Sequence, residues 1–292
     1  MEGLEQRAVL INFSASRWTG EAPDKKADAD IRERRGNAAG TTKTIKYLVD
    51  EAELKKNAKA FNAVYMFYLE NTTPWETKRG GARLLPGGNY TRFWEGITSL
   101  IQAANERADE FTEIYPQLIE DYRPKLNGLF DPANYPTPEM IRGRFSITVS
   151  ECPLPISPES LTLKFMGADK LAELKERLAN SWNAQEGAAI GDLYKRLAQA
   201  VGHIANTLAD PTKVFRDSLV NNVAELADLI PALNFRDDPE LAELAELARG
   251  KLANIDPETL RQDMKVRGQI AGEAGELLAK ITGAGARFID LS

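Results

Sequence analysis

Apolar and polar positions alternate at two places in the first half of the chain. Ala8 to Ser16 reads AVLINFSAS, with Val9, Ile11 and Phe13 on one face and Leu10, Asn12 and Ser14 on the other. That period of two predicts a strand. Phe145 to Ser150 alternates apolar and hydroxyl residues throughout. It predicts a second strand, buried on one face and either wet or paired with another protein on the other. Pro153 and Pro155 stop it. A short third strand is predicted over 82–85, between Gly80-Gly81 and Gly87-Gly88.

Between these strands the period changes to that of a helix. Asp50 and Glu53 have the spacing of a capping box, followed by the stripe Leu54, Ala58, Phe61, Val64 or Tyr65, and Tyr68. Thr73-Pro74 ends this helix. A second helix is predicted over 91–122, with a broad apolar face from Phe93 to Ile119; Pro116 lies inside it and is expected to kink or break it. Residues 124–138 contain four prolines and are expected to form an irregular loop.

The C-terminal half reads as helical almost throughout. Leu171, Leu174, Leu178, Trp182, Ala189, Leu193, Leu197, Ile204 and Leu208 extend one stripe. A helix of that length reaches roughly 55 Å. Gly187, Gly191 and Gly202 weaken it, and a break near Gly187 is left open. Asp210-Pro211, Asp238-Pro239 and Asp256-Pro257 each place a capping carboxylate before a proline, so a helix is expected to start at each. The last carries Leu260, Met264, Ile270, Leu277 and Ile281 as one stripe. The fold expected is α+β and mainly helical. A small antiparallel or mixed sheet covered by long helices occupies residues 1–165, and an elongated helical bundle or coiled-coil-like arm occupies 166–292.

Composition narrows the class. The chain has 292 residues, 43% hydrophobic and 27% charged, which is ordinary for a globular protein and excludes collagen-like and wholly disordered readings. A single cysteine, Cys152, excludes an intrachain disulfide framework and a thiolate zinc cluster. No apolar run is long enough for a membrane span and the N-terminus lacks a secretory signal pattern, so a cytoplasmic location is expected. The net charge of -6 is uneven: residues 1–100 hold 16 Lys+Arg against 13 Asp+Glu, and the acidic excess lies in the remainder. Such asymmetry suggests two functional regions.

Candidate chemistry is sparse. His203 is the one histidine, without a second histidine or cysteine nearby, so it reads as a helix-face residue. The stretch from Gly36 to Thr44 has glycines, a lysine and threonines, but not the spacing of a phosphate loop, and no strand precedes it. Glu106, Asp109, Glu110, Glu113, Glu120 and Asp121 read as a solvated helix face. The most suggestive region combines basic and aromatic residues. Arg17 and Trp18 are followed by Lys25, Lys26, Arg32, Arg34, Arg35 and Lys43. Then Lys78, Arg79, Arg83 and Arg92 surround the glycine turns, near Trp75, Tyr90 and Trp94. Basic side chains with exposed aromatics track phosphates and stack single-stranded bases. Acids intersperse this run, which favours a solvated surface. No catalytic constellation, metal site or cofactor motif is recognisable, so a non-enzymatic role is expected.

Several of these segments carry a resemblance. Leu10 to Gly20 (LINFSASRWTG), Arg83 to Gly88 (RLLPGG), the helix ending Glu120-Asp121-Tyr122, and the strand from Phe145 with Pro153 resemble a phage and proteobacterial domain-of-unknown-function family, over residues 8–165. Members of that family are often encoded beside MoxR-type ATPases, which implies an accessory role. It supplies no catalytic residues to carry over. The function expected is an oligomeric interaction protein of phage type: a scaffold, an ATPase adaptor, or an inhibitor of a host defence factor, acting in the host cytoplasm. The stripe Leu171, Leu174, Leu178, Trp182, Leu193 and Leu197 is its expected self-association interface, being longer than the helices that follow it. The alternative is a single-stranded DNA-binding or annealing protein using the basic aromatic region.

Overall fold

The computed structural model describes residues 3–36, 38, 40–75, 80–253 and 255–288. In chain order the elements are β1 (Ala8–Ser16), β2 (Glu21–Pro23), α1 (Lys25–Arg35), β3 (Ile45–Tyr47), α2 (Glu51–Glu70), β4 (Thr73–Pro74) and β5 (Arg83–Pro86). There follow α3 (Tyr90–Leu126), α4 (Pro138–Arg142), β6 (Ser146–Cys152), α5 (Ala168–Leu208), α6 (Ser218–Leu233), α7 (Pro239–Ala248), α8 (Pro257–Gln262) and α9 (Met264–Gly285). The fold is mainly helical α+β. Its small sheet has the order β4-β5-β1-β6, and β5 runs antiparallel to both β1 and β4, with Leu10 opposite Leu84. No helix among the described residues is long and apolar enough to cross a membrane.

By its contacts the chain divides into two compact units, 1–12 with 69–93 and 150–292, and 13–68 with 94–149. The boundary expected at 165/166 falls inside the first. There one buried cluster joins Leu10, Leu84 and Leu154 to the C-terminal helices, so strand and helix residues share a core.

In the first unit α5 is continuous for 41 residues, through Gly187 and Gly191. Its second half packs chiefly along α9, with α6 and α7 beside it. Small residues permit a close approach: a Cβ on Gly285 would stand 3.0 Å from that of Tyr194. Asp238 and Asp256 do cap α7 and α8, accepting from Glu240 and Leu241 N–H and from Glu258 and Thr259 N–H. Asp210-Pro211 starts no helix, contrary to expectation. Asp210 accepts from the main-chain N–H and the hydroxyl of Thr212 in a turn, and the next helix begins at Ser218. The stripe expected from Leu260 to Ile281 is also divided. Asp263 accepts from Lys265 and Val266 N–H, capping α9 as a new helix, and Met264 is exposed.

In the second unit β2 and β3 form an antiparallel hairpin whose connection contains α1. The charged 25–35 segment is therefore helical, capped by Asp24, yet α1 buries no residue fully. Gly20, with φ +70°, makes the turn from β1 to β2, where a Cβ would overlap Leu54. Only half of the expected capping box forms. Asp50 accepts from Ala52 N–H, while Glu53 pairs with Lys56 and Arg107. α3 runs unbroken through Pro116 and on to Leu126, then gives way to short 3-10 turns. The core here is aromatic: Trp18 packs on Phe111 and Tyr115, and Phe145 on Phe61 and Phe111.

Candidate interaction surface on the long helix

The two halves of α5 are built differently. From Ala189 to Leu208 one face is buried, and Leu193 and Leu197 are fully enclosed by this chain's own helices. They are core residues, which corrects their expected place in an interface: α9 and α6 cover the stripe that the sequence left open. From Ala168 to Ala188 no residue is fully buried. Leu171 and Leu174 are half-buried and Leu178 is 39% exposed. The apolar stripe therefore runs from Leu171 to Trp182, about three turns, without full cover.

Trp182 ends this open stretch and ties it to the core. Its ring meets the buried Trp75 edge-on, and its indole N–H donates to Glu186 Oε1 at 2.8 Å. Glu186 in turn pairs with Arg236 at 3.5 Å. Beside Trp182 lies a small polar cleft of about 240 Å³ that includes Glu5, Ser157 and Glu159. The segment before α5 returns along it, where Lys175 donates to the Glu159 carbonyl. That segment adds two apolar side chains that helical periodicity does not mark, Ile156 at 68% exposure and Phe165 at 83%. An isolated phenylalanine between Lys164 and Met166 in a stretch without period was the only signal for it.

The basic aromatic set is divided between the two units. Arg17, Lys25, Lys26, Arg32, Arg34, Arg35 and Lys43 belong to the second unit, Arg83 and Arg92 to the first, and Lys78 and Arg79 lie outside the described residues. Trp18 and Trp75 are buried to 5% and 3% exposure, which leaves no ring face for a base. Arg83 is spent internally on the Thr72 hydroxyl and on the carbonyls of Leu69 and Thr72. On α1, Asp28, Asp30 and Glu33 interleave with the cations.

The remaining candidates sort simply. His203 is exposed on α5. The α3 carboxylates are exposed, with Glu110, Asp109 and Glu120 paired to Arg107, Arg142 and Arg123. Cys152 is a free, half-buried thiol that accepts from Asn12. Among the described residues no three His, Cys, Asp or Glu side chains gather as a metal site. No family model, curated protein or solved structure matches the chain.

Proposed function

We propose that this chain is a non-enzymatic accessory protein of phage type, working in the host cytoplasm as a scaffold, an ATPase adaptor or an inhibitor of a host factor. The first half of α5 is its contact surface, and a second copy is its first partner. The observation that carries this reading is the uncovered apolar stripe of Leu171, Leu174 and Leu178; Ile156 and Phe165, in the segment before α5, are exposed as well. Burying each large apolar side chain contributes roughly 1.5–3 kcal/mol. Leu171, Leu174 and Leu178 are already partly covered and contribute less each, so with Ile156 and Phe165 the total falls within the association cost of about 4–15 kcal/mol rather than far above it. Light scattering tests it. A mass above the monomer at micromolar concentration, reduced to the monomer by Leu178→Glu, supports the reading, and a strictly monomeric wild type removes it.

A second reading, single-stranded DNA binding, rests on α1, a helix that buries nothing and exposes Lys25, Lys26, Arg34 and Arg35. Phosphate contacts through several cations weaken steeply as salt rises. A mobility shift at low salt that vanishes at high salt supports it, and no shift at low salt eliminates it.

A further inference from the structure

The second unit carries a cleft of about 500 Å³ between the β2–β3 hairpin and the segments flanking α4. Its volume lies in the range of natural ligand sites. The wall is apolar where it is deep, with Leu48 and Ala22 almost fully buried, and apolar again at the rim, where Met140 is 58% exposed. Polar groups on it are unevenly supplied. Arg144 lines the cleft with an exposed guanidinium that no carboxylate of the described residues pairs. Trp18 also lines the cleft, and its indole N–H has no acceptor among the described residues. Edge-on to the Trp18 ring stands Tyr115, 1% exposed, whose hydroxyl has no hydrogen-bond partner among the described residues. Burial, reinforced by Tyr135, holds that phenol above its ordinary pKa while Arg144 pulls the other way.

Two of the lining residues, Arg144 and Trp18, thus carry donors that no group of the described residues pairs. Hydrogen bonds to charged groups contribute about 1.5–3 kcal/mol, so a cation beside an apolar wall suits an occupant that brings an anionic acceptor. Tyr135, also on the wall, has its hydroxyl proton committed to the Leu48 carbonyl. Glu21, at the rim, is the one carboxylate on the wall, and it suits a main-chain N–H. An acceptor-only group on an apolar body, with an N–H beside it, is an Asp or Glu side chain within a peptide. Inorganic phosphate has no apolar body for Leu48 and Met140.

We propose that this cleft binds a short peptide segment in which an Asp or Glu adjoins a large apolar side chain, the carboxylate on Arg144 and the apolar group against Leu48 and Met140. The site is separate from the α5 surface, and neither reading depends on the other.

The test is to pan the full chain against a random dodecapeptide library, in parallel with Arg144→Glu. The enriched peptides should share an acid next to Leu, Ile, Met or Phe. A synthetic copy should bind the wild type in calorimetry and bind Arg144→Glu about tenfold more weakly, as for a lost charge-assisted hydrogen bond. Replacing its acid by the amide should weaken binding similarly. Met140→Asp should also weaken it, and Arg144→Gln serves if Arg144→Glu fails to fold by circular dichroism. The proposal is overturned by no enrichment over a blank surface, by enriched peptides without an acid, or by peptides that bind the Arg144 variants equally well. Saturable binding of hexanoate without any peptide enrichment also overturns it.

Discussion

Trp182 meets Trp75 edge to face, with ring centroids 5.3 Å apart and planes at 85°. The contact gives Trp182 a structural share that its neighbour Leu178, one turn earlier on α5, does not have. Edge-to-face pairs contribute about 0.5–1.5 kcal/mol beyond area. Trp182→Ala should therefore lower stability by about 2–3 kcal/mol. At a chain concentration low enough for the monomer, Leu178→Ala should stay within about 0.5 kcal/mol. Urea midpoints of the two variants check this, and equal losses would show that Leu178 is also core.

Two glycines of α9 should respond with opposite sign. Gly283 has open space where a Cβ would stand, so Gly283→Ala should stabilise by about 0.5–1 kcal/mol through helix propensity. Gly285 faces Tyr194 at 3.0 Å, and Gly285→Ala must push α9 off α5. A loss of about 1–3 kcal/mol is expected, as for overpacking elsewhere. Thermal melts of the pair, at one protein concentration, separate the two effects.

What was legible in the sequence was whatever local chemistry decides. β1 is readable as a strand from its period of two, although Leu10 and Ile11 are both buried and its first half is covered on both faces; α7 and α8 are readable because Asp238 and Asp256 satisfy their own helix N-termini. Asp210-Pro211 carries the same dipeptide and fails because tertiary contacts overrule it. Arg267 of α9 takes the carbonyls of Asp210 and Lys213, and Phe215 is held under the guanidinium groups of Arg261 and Arg267. The α5 stripe shows the same limit. Periodicity marks Leu178 and Leu193 alike, but only the arrival of α9 and α6, remote in sequence, decides that Leu193 is enclosed. Trp18 looked like a stacking residue because composition cannot tell a buried indole from an exposed one. The cleft above it escaped notice because its walls come from segments about a hundred residues apart.

Arg267 is buried to 4% exposure and donates to four carbonyls, those of Thr207, Leu208, Asp210 and Lys213. It closes the C-terminal end of α5, where main-chain acceptors have no helical partner and a cation is favoured by the helix dipole. Arg267→Met should cost about 3 kcal/mol or more by leaving these acceptors unmet. Arg267→Lys should recover less than half, because an ammonium cannot reproduce the planar fork. Denaturant unfolding of both variants is the measurement, and full rescue by lysine would contradict the geometry.

Tyr194 donates to Asp238, and Arg287 donates to both. Burial first, then the Asp238 carboxylate, push the Tyr194 phenol up to about 12 from an ordinary 10, with Arg287 opposing. Between these values the unfolded chain has lost the proton while the folded chain keeps it. The contribution is therefore complete below pH 10 and is lost as pH rises through 12. The stability difference between wild type and Tyr194→Phe should be constant up to pH 10 and shrink above it. A difference that grows with pH would reverse the assigned sign.

Self-association through α5 has a thermodynamic signature independent of any mass measurement. A partner that binds only the folded chain stabilises it by mass action. For a dimer, the free energy of unfolding two copies together rises by about 1.4 kcal/mol for each tenfold increase in chain concentration. The wild-type melting temperature should climb accordingly over a hundredfold range. Leu178→Glu places a carboxylate in the uncovered stripe but leaves the core half of α5, from Ala189 to Leu208, untouched. Its melting temperature should be independent of concentration while its helical circular dichroism matches the wild type at low concentration. A wild-type melt that does not move with concentration would show that α5 does not hold two copies together. A concentration dependence retained by Leu178→Glu would place the contact elsewhere on the chain.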